Sequence, residues 1–259
     1  MIDFQQVQFR VGQKEILRGL DLRVDKGETL VLLGRSGSGK TTALRMVNAM
    51  LLPTAGAVLV EGQPTHEADP VELRRRIGYV MQDVGLFPHW TVARNVGAVP
   101  RLLGWPEDRI WRSVETLLDE VGLPADEYAE RYPSTLSGGQ RQRVGVARAL
   151  AAETKLLLLD EPFGALDPIT RLEMQDLFLR LRSRHGITSV FVTHDLQEAF
   201  RVGTRIALLR DGLLDTLGSP EDFRLSDTDE ARAFLRTLAA DDTPAHPAPT
   251  TTPPVGEDL

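Results

Sequence analysis

One stretch, Gly34-Arg35-Ser36-Gly37-Ser38-Gly39-Lys40-Thr41-Thr42, restricts what this chain can fold into more than any other. It fits the pattern G-x-x-x-x-G-K-[ST] of a phosphate-binding loop. Its surroundings fit as well. The apolar run Thr29–Leu33 is short enough for one buried strand, and the spacing of Leu44, Val47 and Leu51 predicts a helix over 43–50. Strand, loop and helix are the order this chemistry needs. Glycines let the backbone curl so that successive N–H groups point at phosphate oxygens. The helix adds its free N–H groups and the positive end of its dipole. Lys40 would reach the β- and γ-phosphates, and the Thr41 hydroxyl would ligate Mg²⁺. By itself the loop implies a bound nucleoside triphosphate and nothing narrower.

The chain has 259 residues, 42% of them hydrophobic and 26% charged, which suits a globular α/β protein with a substantial core. No apolar run approaches the roughly 20 residues that cross a bilayer. Met1-Ile2-Asp3-Phe4 lacks the basic-then-apolar pattern of a signal peptide, so a cytoplasmic location is expected. The absence of cysteine excludes disulfides and thiolate metal sites. A net charge of −7 argues against a general nucleic-acid-binding surface.

Taken in order, residues 2–33 read as β-rich, with strands over Ile2–Phe9 and Leu20–Val24 and a turn at Asp25–Glu28. Further strands are expected at Ala57–Val60 and Ile77–Met81, with a short helix ending at Arg76. The run Arg74-Arg75-Arg76 reads as a solvated face. Residues 83–105 carry Phe87, Trp90 and Trp105 among short helical pieces. An amphipathic helix over 106–121 follows, with Pro106 at its start and Gly122 after its end. This block interrupts the alternation of strand and helix, as an inserted helical subdomain over about 86–152 would. Ser137 opens a helix to about Ala152. Lys155–Leu159 is a strand buried on both faces, and Asp167 caps a helix over 168–184. A strand over 188–193, a helix over 195–202, a hairpin turning at Asp211-Gly212 and a helix over 231–239 complete the domain. From Asp241 the composition shifts to Pro, Thr and Ala, which reads as a disordered tail.

Asp160 and Glu161 close the apolar strand. An acid at that strand end can hold Mg²⁺ through water, the role read for Asp160. Glu161, one residue on, can accept a proton from an attacking water. Leu136-Ser137-Gly138-Gly139-Gln140 matches the signature motif of ATP-binding-cassette (ABC) ATPases. Around it lie the phosphate loop, Gln82 after a strand, the helical insert, Asp160-Glu161, Ala165-Leu166-Asp167 and Thr193-His194-Asp195, in the order of that family. On these motifs residues 2–238 resemble an ABC ATPase. The resemblance implies an α/β phosphate-loop nucleotide-binding domain with an N-terminal antiparallel β-subdomain and an inserted α-helical subdomain.

The resemblance also implies roles. Gly34–Thr42 bind ATP, His194 senses the γ-phosphate, and Gln82 links Mg²⁺ and the attacking water to a groove for a membrane permease. Two chains pair head-to-tail, so that Ser137, Gly138, Gly139, Gln140 and Asp167 of each complete the site of the other. Such a helix start is itself an anion site, and two-fold symmetry gives two sites. The family stacks an aromatic residue on adenine near the first hairpin; here Val11 occupies that place and Phe9 is the alternative.

Among ABC ATPases, the DNA-repair type has a long coiled coil after the phosphate loop, the translation type has two cassettes, and fused exporters carry membrane spans. A stand-alone transport subunit remains, peripheral on the inner face of the membrane, with permease subunits and an extracytoplasmic solute-binding protein as partners. The finer resemblance is to ATPases of osmoprotectant importers, for glycine betaine, choline or carnitine. It rests on Gly85–Trp90 (GLFPHW) with Asn95-Val96 and Val99-Pro100, on Arg131-Tyr132-Pro133, on Arg143–Leu150 and on Phe163–Thr170. An importer of another polar solute, or a soluble non-transport ATPase, is the alternative. Some relatives carry a pair of CBS domains after the cassette, and this form of regulation is not expected here.

Overall fold

The computed structural model describes residues 1–241, with side chains through residue 238. Strands β1 (Ile2–Val11), β2 (Lys14–Val24) and β3 (Thr29–Leu33) lead into helix α1 (Lys40–Val47). Next come β4 (Ala55–Val60), β5 (Gln63–Pro64), α2 (Pro70–Arg75) and β6 (Ile77–Met81). A purely helical stretch follows: α3 (Val92–Val96), α4 (Ala98–Leu102), α5 (Glu107–Glu120), α6 (Ala125–Tyr128) and α7 (Gly138–Leu150). The chain then returns through β7 (Leu156–Asp160), α8 (Pro168–His185), β8 (Thr188–Val192) and α9 (Leu196–Val202). It ends with β9 (Arg205–Arg210), β10 (Leu213–Gly218), α10 (Pro220–Arg224) and α11 (Asp229–Asp241). The tail expected from Asp241 onward lies outside the described residues, apart from Asp241 itself.

Two sheets form. An antiparallel sheet has the order β2-β1-β4-β5, and a second sheet has the order β10-β9-β3-β8-β7-β6. In the second, β9, β3, β8, β7 and β6 run parallel and β10 is an antiparallel edge. Side chains alternate across a strand, and this accounts for the continuous apolar runs. Val31, Leu33, Leu157 and Leu159 enter a core shared with α5, α7, α8 and α9. Leu30, Leu32, Leu156 and Leu158 enter a core shared with α1 and the antiparallel sheet. Both faces of the parallel strands are therefore covered, as crossover helices require.

The structure shifts several expected boundaries. Helix α1 starts at Lys40, because Gly39 (φ 103) ends the loop and helical backbone follows at once. Apolar spacing cannot register the polar residues Lys40-Thr41-Thr42. Strand β2 starts at Lys14, where it pairs with Val11 across a tight turn, well before the expected Leu20. The arginine run is not simply solvated. Arg74 donates to the carbonyls of Asn48 (3.1 Å) and Ala49 (2.8 Å), tying off the chain as it leaves α1. Arg75 pairs with Glu72 at 2.7 Å. Asp211 (φ 49) and Gly212 (φ 79) turn the β9–β10 hairpin with the two positive dihedrals that a type I′ turn demands.

Gly78 lets α7 lie directly on β6. A Cβ there would stand 2.5 Å from the Ala149 carbonyl oxygen and 2.7 Å from Leu157 Cδ1. Gly→Ala in a strand ordinarily stabilises, but a clash with backbone reverses the sign. Gly78→Ala should lower stability by about 1–3 kcal/mol, seen as a lower urea midpoint with an unchanged slope.

Candidate functional site

The strand register assembles the site. Met81 pairs with Asp160, Asp160 with Val192, and Val192 with Leu32. The next residue on each strand is therefore Gln82, Glu161, Thr193 or Leu33, all at the carboxyl edge of the sheet. Open α/β sheets bind ligands at that edge.

Leu33 leads into the phosphate loop. Gly34 (φ 150) passes so close to β9 that a Cβ would meet the Leu209 carbonyl oxygen at 2.3 Å. Inside the loop, Lys40 is 5% exposed and its Nζ donates to the carbonyls of Gly34 (2.7 Å) and Arg35 (2.9 Å). Burial pushes this ammonium below the ordinary lysine range, while the charges of Glu161 and Asp160 act in the opposite sense. Ser38 is buried and its Oγ has no hydrogen-bond partner.

Thr41 Oγ1 donates to Asp160 Oδ1 at 2.8 Å. Two residues that the motifs did not single out hold the other carboxylate oxygen. Tyr79 OH donates to Oδ2 at 3.3 Å, and Arg45 Nη2 lies 3.9 Å from it. Arg45 follows Thr41 by four residues on α1, so helical spacing alone marks it. Tyr79 carries no such mark, because β6 and β7 meet only through the sheet.

Glu161 has φ 47, in the left-handed region, and its N–H donates to the Val192 carbonyl at 3.0 Å. Non-glycine residues held there cluster at functional sites. His194 Nδ1 lies 3.2 Å from Glu161 Oε2. A Cβ on Gly164 would stand 3.8 Å from Gln82 Nε2 and 4.0 Å from Glu161 Oε2, which brings Gln82 to the same corner. Beneath them lies a cavity of about 40 Å³ lined by Glu161, Gly164, Arg171, His194 and Glu198, among others. Arg171 spans this corner, donating to the Leu166 carbonyl (3.2 Å) and lying 3.5 Å from Asp195 Oδ2. Glu198 is buried, which pushes its carboxyl up; hydrogen bonds from Thr193 and Gln175 oppose that shift. A larger hollow of about 630 Å³ lies at the opposite ends of β6 and β7, by Ile77 and Leu156. It touches none of these groups.

The remaining expected residues stand apart. Ser137 caps α7 through a capping box: Ser137 Oγ accepts from the Gln140 N–H (3.2 Å) and Gln140 Oε1 from the Ser137 N–H (2.9 Å). A Cβ on Gly139 would press on Thr170 of α8 at 2.7 Å, whereas Gly138 faces open space. Asp167 caps α8, and the hydrogen bonds from Thr170 hold its carboxyl below the usual range. Among the described residues, no hydrogen bond or ion pair joins Ser137–Gln140 to the phosphate loop. Val11 is 61% exposed at the first hairpin, while Phe9 pairs with Leu17 and packs against the core.

The residues present fit a triphosphate and a hard divalent cation. A buried ammonium rests on backbone carbonyls, a buried hydroxyl lacks a partner, and hydroxyl and carboxylate oxygens lie side by side at Thr41 and Asp160, the donor type that Mg²⁺ prefers.

Comparison with known proteins gives the same family. The description "ABC transporter" matches residues 17–164. The chain is 47% identical over 219 residues to the choline transport ATP-binding protein OpuBA of Bacillus subtilis (strain 168), covering 85% of this chain and 57% of that one. It is 48% identical over 211 residues to the glycine betaine/carnitine/choline transport ATP-binding protein OpuCA of the same organism, covering 82% and 55%. The chain thus spans little more than half the length of these relatives. The solved dimeric structure of MJ0796, a bacterial ABC transporter cassette, matches with a TM-score of 0.74 and 34% identity, over 85% of this chain and 99% of that one.

Burial first, and then the charge of Asp160, raise the Tyr79 phenol above its ordinary value. Asp160→Asn removes that charge, while the burial stays and Arg45 goes on acting in the opposite sense. The Tyr79 phenol, followed through its ¹³Cζ shift, should titrate lower in this variant than in the parent, yet still above a free tyrosine.

Proposed function

The chain belongs to the ABC transporter family, and from that premise we propose that it is the ATP-hydrolysing subunit of an importer of quaternary amines such as glycine betaine, choline or carnitine. The observation that carries the hydrolytic part is the meeting of Lys40, the Thr41–Asp160 pair and the Glu161–His194 pair on one edge of the sheet. Lys40 and the loop N–H groups of Gly34–Thr42 hold the phosphates, and Val11 lies beside the base. Thr41 and Asp160 hold Mg²⁺, with Gln82 close by. When bound, Mg²⁺ neutralises charge on the transferring phosphoryl group. Glu161 takes the proton of the attacking water, and His194, 3.2 Å away, keeps its carboxylate aimed.

The solute class is supported by the relatives' names and by the loop that distinguishes this chain. Asn95 is fully buried and shapes that loop. Its Oδ1 accepts from the Phe87 N–H at 2.7 Å, and its Nδ2 donates to the carbonyls of Phe87, Trp90 and Thr91. The Phe87 ring lies tilted against Trp90, with centroids 4.3 Å apart, and Phe87 remains 48% exposed, an apolar anchor of the kind a helix-in-groove contact uses. This loop meets a cytoplasmic helix of the permease, which holds the subunit at the inner face of the membrane. Among the described residues no helix is long and apolar enough to cross a membrane itself. A solute-binding protein outside the membrane completes the complex.

The signature residues of α7 face a second copy. Ser137 caps a helix of 13 residues, and the N–H groups of Gly138 and Gly139 in its first turn have no intrahelical acceptor. With Gln140 and Asp167 they close the partner's nucleotide site.

Glu161→Gln tests the hydrolytic reading. Turnover should fall about 10²–10⁴-fold while ATP still binds, and cells carrying this variant should lose uptake of labelled choline. Hydrolysis at the parent rate would remove Glu161 from the role.

A mixture of Lys40→Ala and Ser137→Arg chains tests the shared site. Both lesions fall in one composite site of the heterodimer and leave the other intact, so activity should return in part. A mixture no more active than either variant, with heterodimers verified by mass, would refute the head-to-tail pair.

A further inference from the structure

Arg35, the second residue of the phosphate loop, also reaches away from it. Its Nε donates to Glu230 Oε1 at 2.7 Å. The Arg35 side chain is 69% exposed, whereas that of Glu230 is 7% exposed. A buried carboxylate is costly unless it is paired and hydrogen-bonded, so Arg35 is what Glu230 requires. Glu230 lies in the first turn of α11, where the helix dipole favours an acid.

Helix α11 is a firm anchor. Ala231 is fully buried, and Phe234, Leu235 and Leu238 pack against the core that contains Val31 and Leu33 of β3. Thr228 Oγ1 accepts from the Ala231 N–H (3.2 Å) and donates to Asp215 Oδ2 (2.6 Å), which ties the helix start to β10.

On its inner side the loop is held by Lys40, bonded to the carbonyls of Gly34 and of Arg35 itself. An ammonium has three N–H donors, and as it swings toward phosphate it trades its hold on the carbonyls for the stronger, charged acceptor. The inner support is then weakened at the moment the loop has to keep its curve.

We propose that Glu230 is a positioning residue for the phosphate loop, which it holds in shape from outside through Arg35 when Lys40 turns to a bound triphosphate. The proposal rests on the reading of this loop as the ATP site. Glu230 touches no substrate, and its effect passes through Arg35.

The test uses the full chain and ATP. Glu230→Gln should weaken ATP binding by about 10-fold, with kcat at saturating ATP within about twofold of the parent. Arg35→Met should weaken it similarly, Arg35→Lys should recover most of the loss, and the double variant Glu230→Gln/Arg35→Met should be no weaker than the worse single. Parental affinity in Glu230→Gln, or additive losses in the double variant, would overturn the proposal. If Glu230→Gln does not fold, amide exchange of residues 34–40 in the ATP-saturated Arg35→Met chain decides. Faster exchange than in the parent supports the external hold, and equal exchange overturns it. Lys40→Ala separates the two readings. If it binds ATP as the parent does, the loop is not the ATP site; if it loses binding while Glu230→Gln does not, only the role of Glu230 fails.

Discussion

A parallel sheet covered on both faces can place chemistry only at its strand ends. Along β3, β7 and β8 every apolar side chain is committed to one of two cores. The register then decides which residues meet. Because Met81, Asp160, Val192 and Leu32 lie in one row, Gln82, Glu161, Thr193 and Leu33 must emerge side by side. The phosphate loop is the continuation of Leu33, and its curl is possible because Gly34 has no Cβ to strike β9. A one-residue slip in β3, β7 or β8 would exchange its side chains between the two cores and take the site residue out of the row.

This dependence explains what could be read in the sequence. Thr29–Leu33 and Ile77–Met81 were legible to the residue, since a strand buried on both faces is a short apolar run with clear limits. The caps at Ser137 and Asp167, the proline after Asp167 and the Gly186 stop were legible because each acts within one turn of its own helix. Contacts between elements distant in sequence were not. Tyr79 reaches Asp160 across 81 residues, and Arg35 reaches Glu230 across 195. Neither pair carries a spacing that betrays it. Arg74 shows the same limit in another form, because a run of arginines reads as solvated until the carbonyls of Asn48 and Ala49 are seen beside it.

The first hairpin is a case where the pattern itself misleads. Strict alternation would assign Phe9 and Val11 to one face. The pairing of β1 with β2, however, has irregularities between Phe4 and Val7, between Val7 and Gln8, and between Phe9 and Arg10. The first adds a residue to β1 and resets its faces, whereas the other two skip Gly19 and Ile16 of β2 and leave the alternation of β1 as it was. Phe9 packs against the core, while Val11, the last residue of β1, lies beyond the core's edge and stands 61% exposed at the turn, next to the Arg10–Glu15 ion pair. An exposed aliphatic side chain offers a base van der Waals contact without the directional stacking of an aromatic ring. Little at this hairpin can then distinguish one base from another, which shifts the weight of the proposed nucleotide site to the phosphates.

That grip follows from how the loop solves its own electrostatics. A buried ammonium is costly, and Lys40 meets the cost with two carbonyls that the curled loop leaves free of secondary structure, helped by the nearby charges of Glu161 and Asp160. The solution is serviceable but incomplete. Neutral carbonyls are weaker partners for an ammonium than anionic oxygens, and Ser38 Oγ, buried close to the same turn, has no partner at all. A ligand bearing several anionic oxygens improves on both counts and also meets the free N–H groups at the start of α1. The cavity shape is thus secondary. In the proposed site, what would select a polyphosphate is a set of polar groups held in place by the sheet and by α1, with Lys40 and Ser38 less well satisfied by the protein than they would be by phosphate.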